Sequence, residues 1–237
     1  MAGKRHGAAI GFLSTTHAGP TCTAVLAGLA LLAWDASGAD LAVTRLFGTA
    51  EGFALRDSVW TATLLHNGGR LAAWALLLAL VAAALRAPPH PTAAVPGRAQ
   101  RWCWLGVMLM CVLAVPLLKR VSVTSCPWDL AEFGGTARYV SHWAFGQLDG
   151  GPGHCFPSGH AVAAFAFFGL YFQWRGHDER RARRWLAAVL GAGLLFGAAQ
   201  LVRGAHHLSH TLWSAWLCWV LCCGADVVLM RGREREG

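Results

Sequence analysis

Apolar runs separated by short basic segments are the feature that most constrains how this chain folds. The runs cover approximately residues 12–34, 71–85, 102–118, 158–174, 185–202 and 208–230. A membrane helix needs about 20 predominantly apolar residues, so the ends of several runs must extend into their flanks. The stretch Leu41–Arg70 is too polar to span and is expected at the surface. The pattern predicts an all-α bundle of six transmembrane helices that forms a single domain over residues 1–237.

The composition agrees with a membrane location. The 237 residues are 55% hydrophobic and 14% charged, whereas soluble domains carry about 25% charged residues. The chain has 12 tryptophans, and tryptophan favours membrane interfaces. The net charge of +8 could indicate a nucleic-acid partner, but the basic residues lie between apolar runs, where membrane topology explains them. We therefore expect a membrane-embedded protein with no nucleic-acid partner.

The basic residues also predict an orientation. With six spans, 13 of the 20 lysines and arginines fall on one side of the membrane and 7 on the other. Cytoplasmic segments carry the excess of positive charge. Both termini are then cytoplasmic, and the long loop 119–157, between the third and fourth helices, lies on the outer face. For a bacterial inner membrane this face is periplasmic.

The segment Pro157–His160 has the composition of an anion-binding turn before a helix. A proline favours a helix start, and Ser158 can cap the helix and donate a hydroxyl hydrogen bond. Gly159 allows the backbone to approach a ligand closely, and free N–H groups at a helix start favour anions. His160 can give or take a proton near neutral pH. The alternative is a capped helix start with a histidine that has no chemical role.

A second histidine-bearing segment lies between the fifth and sixth runs. On one helix, Gln200, Arg203, His206 and His210 would share a face, whereas Gly204 could break the helix and place His206 on a turn. Arg203 can bind a phosphate through two hydrogen bonds, and His206 can act as a nucleophile or base. The spacing of the two histidines also suits zinc, although no nearby Glu or Cys completes a ligand set. Interfacial histidines without a role are a further alternative.

Taken together, three segments resemble the signature of the type-2 phosphatidic acid phosphatase superfamily. They are Lys119-x6-Cys126-Pro127, Pro157-Ser158-Gly159-His160 and Gly204-Ala205-His206-x3-His210. The family pattern is Lys-x6-Arg-Pro, Pro-Ser-Gly-His and Ser-Arg-x5-His-x3-Asp. The resemblance covers about residues 102–230, and only the middle segment matches in full.

The resemblance implies a membrane lipid phosphatase. The family hydrolyses phosphate monoesters or diphosphates of lipids without a metal or other cofactor, through a phosphohistidine. By position, His206 would be the nucleophile and His160 the general acid. Lys119, Ser158 and the N–H of Gly159 would hold the phosphoryl oxygens. Phosphoryl transfer depends mainly on positioning and charge stabilisation, which agrees with these roles.

Three positions depart from the family pattern. Cys126 and Gln200 stand where the family has arginines, and His210 replaces the aspartate that orients the nucleophile. Arg203 could supply one missing cation, and Asp129 is a possible replacement for the carboxylate. A phosphotransferase that moves phosphate between lipids is an alternative, as is a non-catalytic lipid-binding or scaffold protein with the same fold. The substrate remains open among phosphatidate, phosphatidylglycerol phosphate, polyprenyl diphosphate and lipid A phosphates, as does the oligomeric state.

The last expectation is a disulfide between Cys126 and Cys155. Both lie in the loop assigned to the outer face, where disulfides persist. Each is beside a segment of the signature, and segments that meet on one phosphate must approach each other. The bond would tie the Lys119 arm to the Pro157–His160 turn.

Overall fold

The computed structural model describes residues 6–92 and 94–236, with side chains for 19–92 and 94–229. Its helices are α1 (His6–Ser37), α2 (Ala39–Thr44), α3 (Gly69–Leu85), α4 (Arg98–Val121), α5 (Val162–Phe165), α6 (Phe168–Trp174), α7 (Glu179–Val202) and α8 (Leu208–Glu236). A π-helical segment, Val59–Gly68, leads directly into α3. The charges of Lys4 and Arg5, on which the predicted orientation partly depends, lie outside the described residues.

Five helices in the described part of the chain are long and apolar enough to cross a membrane. They are Gly19–Ser37, Val59–Leu85, Arg98–Val121, Glu179–Val202 and Leu208–Leu229. The expected fourth span is a shorter apolar segment, Val162–Trp174, divided by a turn into α5 and α6. At about 1.5 Å per residue this segment reaches only about 20 Å, less than the hydrocarbon core of about 30 Å. The all-α class is confirmed, and the count of six spans stays a prediction.

The second span starts earlier than the sequence suggested. We expected Leu41–Arg70 at the surface, but the continuous helix begins at Val59. Thr61 stabilises this start, because its hydroxyl donates to the carbonyl of Leu55 at 2.6 Å. The last part of the supposed surface stretch therefore belongs to a membrane helix, and that part carries His66 and Arg70.

Glycines let the helices of the bundle approach closely. A Cβ on Gly193 would lie 2.1 Å from the ring of Phe165, and one on Gly197 would lie 2.3 Å from Thr211. This small-xxx-small pair on α7 allows α5 and α8 to pack against its backbone, as is common in membrane bundles. On the other side of α8, the indole of Trp216 donates to the carbonyl of Ala24 at 2.8 Å and fixes α1.

The loop between α4 and α5 is folded around a buried aspartate. Asp149 accepts hydrogen bonds from the N–H and hydroxyl of Ser125 at 2.6 and 2.9 Å, and from the N–H of Gly151 at 2.9 Å. A short hairpin, β1 (Gly48–Thr49) and β2 (Gly52–Phe53), packs against this loop through the ring contact of Phe53 with Phe133. The hydrogen bonds of Asp149 thus connect distant parts of this long loop.

The three signature segments meet at one end of the bundle. The N–H of Trp128 donates to the carbonyl of Gly204 at 2.9 Å, and the N–H of Ser158 donates to the carbonyl of His210 at 3.0 Å. The N–H of Cys155 donates to the carbonyl of Thr124 at 2.8 Å. Backbone hydrogen bonds thus place three segments, distant in sequence, beside one another.

Candidate active site

The conformation of Gly204 determines the position of His206. Helix α7 ends at Val202, and Gly204 adopts the left-handed conformation with φ +70°. A Cβ at this position would lie 2.3 Å from the ring of Phe53, so both the backbone and the packing favour glycine. His206 therefore lies on the turn between α7 and α8, and the single helical face considered for the third segment is not formed.

A cavity of about 330 Å³ lies where the three segments meet. From the signature, its wall contains Lys119, Gly159, His160, Gln200 and His206. Lys119 passes across the glycine, since a Cβ on Gly159 would lie 3.9 Å from Cδ of the lysine. The structure therefore brings the expected nucleophile, the expected acid and the expected lysine to the wall of one open cavity.

The remaining wall of the cavity includes residues that the signature does not contain. His66 and Arg70 enter from the second span, and Trp128 comes from the loop after α4; the signature residues Cys126 and Ala205 complete the wall. The His66 ring stacks on the His160 ring, with centroids 4.3 Å apart and an interplanar angle of 20°. The site therefore depends on four elements of the chain.

A larger groove of about 700 Å³ lies elsewhere, between α1 and the face formed by α6, α7 and α8. Its lining residues include Leu31, Phe168, Leu190 and Trp216, and the lining contains no Asp, Glu, Lys, Arg or His. The smaller cavity is the better candidate for chemistry because it holds histidines and cations, whereas the groove offers only apolar contact and a few weakly polar groups.

His206 is buried and has one ring nitrogen engaged. Its Nδ1 lies 3.4 Å from Nδ1 of His210 and 3.4 Å from the sulfur of Cys155. Between two imidazole nitrogens one must donate and the other accept, so the pair shares one proton on this side. His210 is fully buried, and its Nε2 has no hydrogen-bond partner among the described residues. His210 therefore lies against Nδ1 of His206, and its orienting role stays a prediction.

Burial keeps both catalytic candidates neutral in the ligand-free protein. Burial, with a smaller contribution from the charge of Lys119, holds the pKa of His206 well below its usual 6.5. Burial also lowers the pKa of His160 to about 4, helped by neighbouring His66 and Arg203. A neutral His206 has the lone pair that a nucleophile needs. His160 needs a proton to act as an acid, and a bound phosphate would favour that protonation because opposite charges stabilise each other.

Ser158 does not cap a helix, contrary to expectation. Helix α5 begins at Val162 after an N-cap at Ala161 that makes no side-chain cap hydrogen bond. The Ser158 hydroxyl is instead buried without a hydrogen-bond partner among the described residues. A buried hydroxyl without a partner is costly, so a ligand that accepts from it would gain affinity.

Arg203 and Asp129 stand apart from the cavity wall. Arg203 ends α7, and its Nε donates to the carbonyl of Arg56 at 2.8 Å. The carboxylate of Asp129 accepts from the N–H of Cys126 at 3.3 Å and closes a short turn. Burial raises the pKa of Asp129 above its usual value. The structure therefore gives Asp129 a role in the loop, whereas the nitrogen of His206 faces His210.

Cys126 and Cys155 form a disulfide in the structure, with Cα atoms 5.1 Å apart. The pair joins the arm after α4 to the turn before α5, as proposed from the sequence. Cys155 also belongs to the one cluster of potential metal ligands in the described chain, with His206 and His210. Because its sulfur is in the disulfide, it is not a thiolate, and two histidines alone make a poor zinc site.

The histidine-bearing segment between α7 and α8 and the start of α8 contact an acidic network. The carboxylate of Asp40 accepts from the indole of Trp34 at 3.0 Å, from the N–H of Ser209 at 3.0 Å and from the hydroxyl of Ser209. His207 contacts the hydroxyl of Thr44 through Nδ1 at 2.8 Å. Burial lowers the pKa of His207 to about 4, so this ring is neutral.

A second buried carboxylate belongs to the same network. Asp35 accepts from the indoles of Trp143 and Trp213 at 2.7 and 2.8 Å, and its contact with Nε2 of His142 is 3.1 Å. The His142 ring stands edge-on to the His210 ring, with centroids 5.7 Å apart. Through these contacts, α1 and the loop between α4 and α5 support the position of His210.

Sequence reasoning missed the residues that come from the first half of the chain. They are Asp35, Asp40, His66 and Arg70. His142, in the loop between α4 and α5, was missed as well. One signal was available for two of them. His66 and Arg70 are spaced by four residues beside an apolar run, so they would lie on one face of a helix. Ionisable residues in a membrane helix are by default proposed to have a function. No sequence pattern pointed to the buried aspartates, because an aspartate after an apolar run is typical of the polar end of a membrane helix.

One of three comparisons with known proteins identifies a family. The family model described as PAP2 superfamily matches residues 100–232, more than half of the chain. The chain belongs to the PAP2 superfamily. No curated protein and no solved structure matched. The PAP2 match begins at α4 and covers every signature segment, whereas His66, Arg70 and the two buried aspartates lie before it.

Proposed function

We propose that this PAP2 protein is a lipid phosphatase that transfers a phosphoryl group from a lipid phosphate monoester or diphosphate to His206 and then to water. The observation that carries the proposal is the arrangement of His206, His160 and Lys119 around one cavity of about 330 Å³. The PAP2 superfamily generally comprises phosphatases, and apolar helices around the cavity suit a lipid substrate.

His206 provides the nucleophile. Its Nδ1 is turned towards His210, which leaves Nε2 as the nitrogen for attack on phosphorus. As the P–N bond forms, the imidazole becomes positively charged, and neutral His210 can accept the hydrogen bond from Nδ1–H. The P–O bond to the lipid then breaks, and the leaving oxygen takes a proton from His160. Water attacks the phosphohistidine in the second step and releases phosphate.

The cavity supplies charge stabilisation for this reaction. Lys119 lies across Gly159, where it can neutralise a phosphoryl oxygen. Ser158 is not itself on the cavity wall but precedes the wall residue Gly159, and its hydroxyl is buried and unpartnered within the described chain. We propose that this hydroxyl donates to a second oxygen when the substrate binds. Donors fixed in place before the substrate arrives stabilise developing charge without reorganisation. We expect this reaction at the outer, periplasmic face, with both termini cytoplasmic.

The test is phosphate release by purified protein from a panel of lipid phosphates in EDTA. We expect release from at least one lipid, with His206→Ala inactive although folded. His90→Ala is the matched control, because this histidine is exposed in the loop between α3 and α4. No release from any lipid phosphate would contradict the proposal, and activity lost only on metal removal would replace it with a metal-dependent reaction.

A further inference from the structure

The PAP2 signature leaves this cavity short of positive charge. Two arginine positions of the family pattern are occupied by Cys126, which is in the disulfide, and by Gln200. Arg203 was the expected substitute, but its Nε donates to a backbone carbonyl and it is outside the cavity wall. Of the signature residues, Lys119 is the one cation on that wall. A phosphate dianion bound by one lysine would be poorly neutralised.

The second span supplies a guanidinium at this place. Arg70 lies on the cavity wall, in the first turn of α3, and His66 lies on the wall four residues earlier. Gly69 allows this approach: a Cβ on it would lie 2.7 Å from the ring of Phe196 on α7. The change from π-helix to α-helix occurs at the same point, between Gly68 and Gly69. Such π-helical segments are frequent at functional sites.

Gln200 has a defined partner in this arrangement. Its Nε2 lies 3.3 Å from Nδ1 of His66. An amide nitrogen is a donor, so Nδ1 of neutral His66 accepts and its proton lies on Nε2. The glutamine that replaces a family arginine therefore fixes the ring of His66, which in turn stacks on His160. Gln200, at a family arginine position, and His66 and Arg70, from the second span, therefore lie on the same cavity wall, and Gln200 contacts His66.

We infer that Arg70 is a phosphate-binding residue of this site and takes over the charge that the family places at the positions of Cys126 and Gln200. This inference rests on the proposed function for its substrate, a lipid phosphate. Arg70 and Lys119 then approach the phosphoryl group as two cations, and the fork of Arg70 can hold two of its oxygens. His66 is a positioning residue that fixes the ring of His160. The phosphate site of this chain thus includes a helix that lies before the family match.

Relocation of the charge gives a sharp test. Arg70→Ala should lower kcat/KM for the best lipid phosphate by about 10²–10³-fold, as loss of one transition-state donor does. Arg70→Lys should still lose about tenfold, because a point charge replaces a bidentate fork. In the Arg70→Ala background, Gln200→Arg should recover at least about tenfold, because it returns a guanidinium to the family position on the same wall. Arg120→Ala is the matched control: this arginine is exposed and next to Lys119.

Binding of inorganic phosphate separates this inference from the proposed function. Calorimetry should show phosphate binding to the wild type and to Arg120→Ala, with at least tenfold weaker binding to folded Arg70→Ala and partial recovery in the double variant. If no lipid is hydrolysed but phosphate binding depends on Arg70, the proposed function fails and the inference stands. The inference is overturned if Arg70→Ala and Arg70→Lys both bind phosphate and hydrolyse the lipid phosphate as the wild type does. It is also overturned if the wild type neither binds inorganic phosphate nor hydrolyses any lipid phosphate. An Arg70→Ala variant that does not fold leaves the decision to Arg70→Lys, whose side chain keeps the stem and charge.

Discussion

The two sides of the His206–His210 pair differ in charge, openness and origin. On one side is the cavity, with Lys119 and Arg70 in its wall. On the other are the buried carboxylates of Asp35 and Asp40, each bonded to indole and other N–H donors. Under the proposed function, the cationic side would bind the anion, and the acidic side would stabilise the positive charge that His206 gains on phosphorylation.

The comparison also explains how a histidine can replace the family's orienting aspartate. A carboxylate directly against His206 would sit in a fully buried position, since His210 has no exposed surface. Here no carboxylate hydrogen-bonds to His206 in the described chain. Ser209 and the indole of Trp34 donate to Asp40, while His142 and two indoles contact one oxygen of Asp35, whose other oxygen has no partner among the described residues. Buried charges are tolerated when they are hydrogen-bonded in this way. Negative charge is thus kept near the nucleophile without direct contact with it.

The largest expected effect concerns the acid on the cavity side. His160→Ala should lower kcat for a lipid phosphate by about 10²–10⁴-fold, the usual contribution of general acid catalysis. For p-nitrophenyl phosphate the loss should be much smaller, because a nitrophenolate leaves without a proton. Steady-state kinetics with both substrates make the comparison. Equal losses for the two substrates would show that His160 acts in binding and not as the acid.

The second effect concerns the acidic side. His210→Ala should lower turnover by about 10–100-fold, as loss of an orienting group does. His210→Asp, which restores the family residue, should be more active than His210→Ala, because the carboxylate can accept the hydrogen bond from Nδ1–H of His206. Kinetics of the two folded variants decide this. If the alanine variant keeps full activity, His210 does not orient the nucleophile.

A smaller effect on turnover is expected when the disulfide Cys126–Cys155 is removed. Replacing Cys126 and Cys155 by serine opens a loop of separation 29, which should cost about 3–4 kcal/mol of stability in the chain-entropy model. Turnover should fall less than in the His160 variant, because the disulfide aligns the cavity and does not react. Mass spectrometry of non-reduced peptides checks the pairing. Two free, alkylatable thiols in protein from an oxidising compartment would contradict it.

The smallest effect is a pH dependence of stability that both sides share. Burial lowers the pKa of His160, His206 and His207, and also that of His142. At pH values below about 6.5 the unfolded chain therefore binds more protons than the folded one, and stability falls. The melting temperature in detergent should decrease from pH 6.5 towards pH 4, and His160→Gln should reduce that slope. A melting temperature that rises over this range would contradict the stated pKa directions.

The sequence predicted the parts of the site that carry a signature. The residues Lys119, His160 and His206 were placed together because three motifs had the right spacing and the apolar runs put them on one side. The cysteine pair followed from the same convergence. Each of these predictions needed only local patterns and the helical topology.

Other parts depended on tertiary contacts that no local pattern reports. The second span starts at Val59 and not at Leu71, because the helix continues through a less apolar stretch that the sequence analysis had placed at the surface. Arg203 looked like the substitute cation from its position, yet a turn at Gly204 directs it to the carbonyl of Arg56. The carboxylates of Asp35 and Asp40 act across the bundle on residues far along the chain, a contact that periodicity cannot show.

The central claim is that His206 carries the phosphoryl group. The direct measurement is rapid quenching of the protein with a ³²P-labelled lipid phosphate that it hydrolyses, followed by mapping of the phosphorylated peptide under alkaline conditions. We predict an acid-labile, alkali-stable phosphohistidine on His206 that is formed during turnover and is absent in His206→Ala. Hydrolysis with phosphate on a different residue, or His206→Ala protein that still forms the phosphoenzyme, would contradict the account.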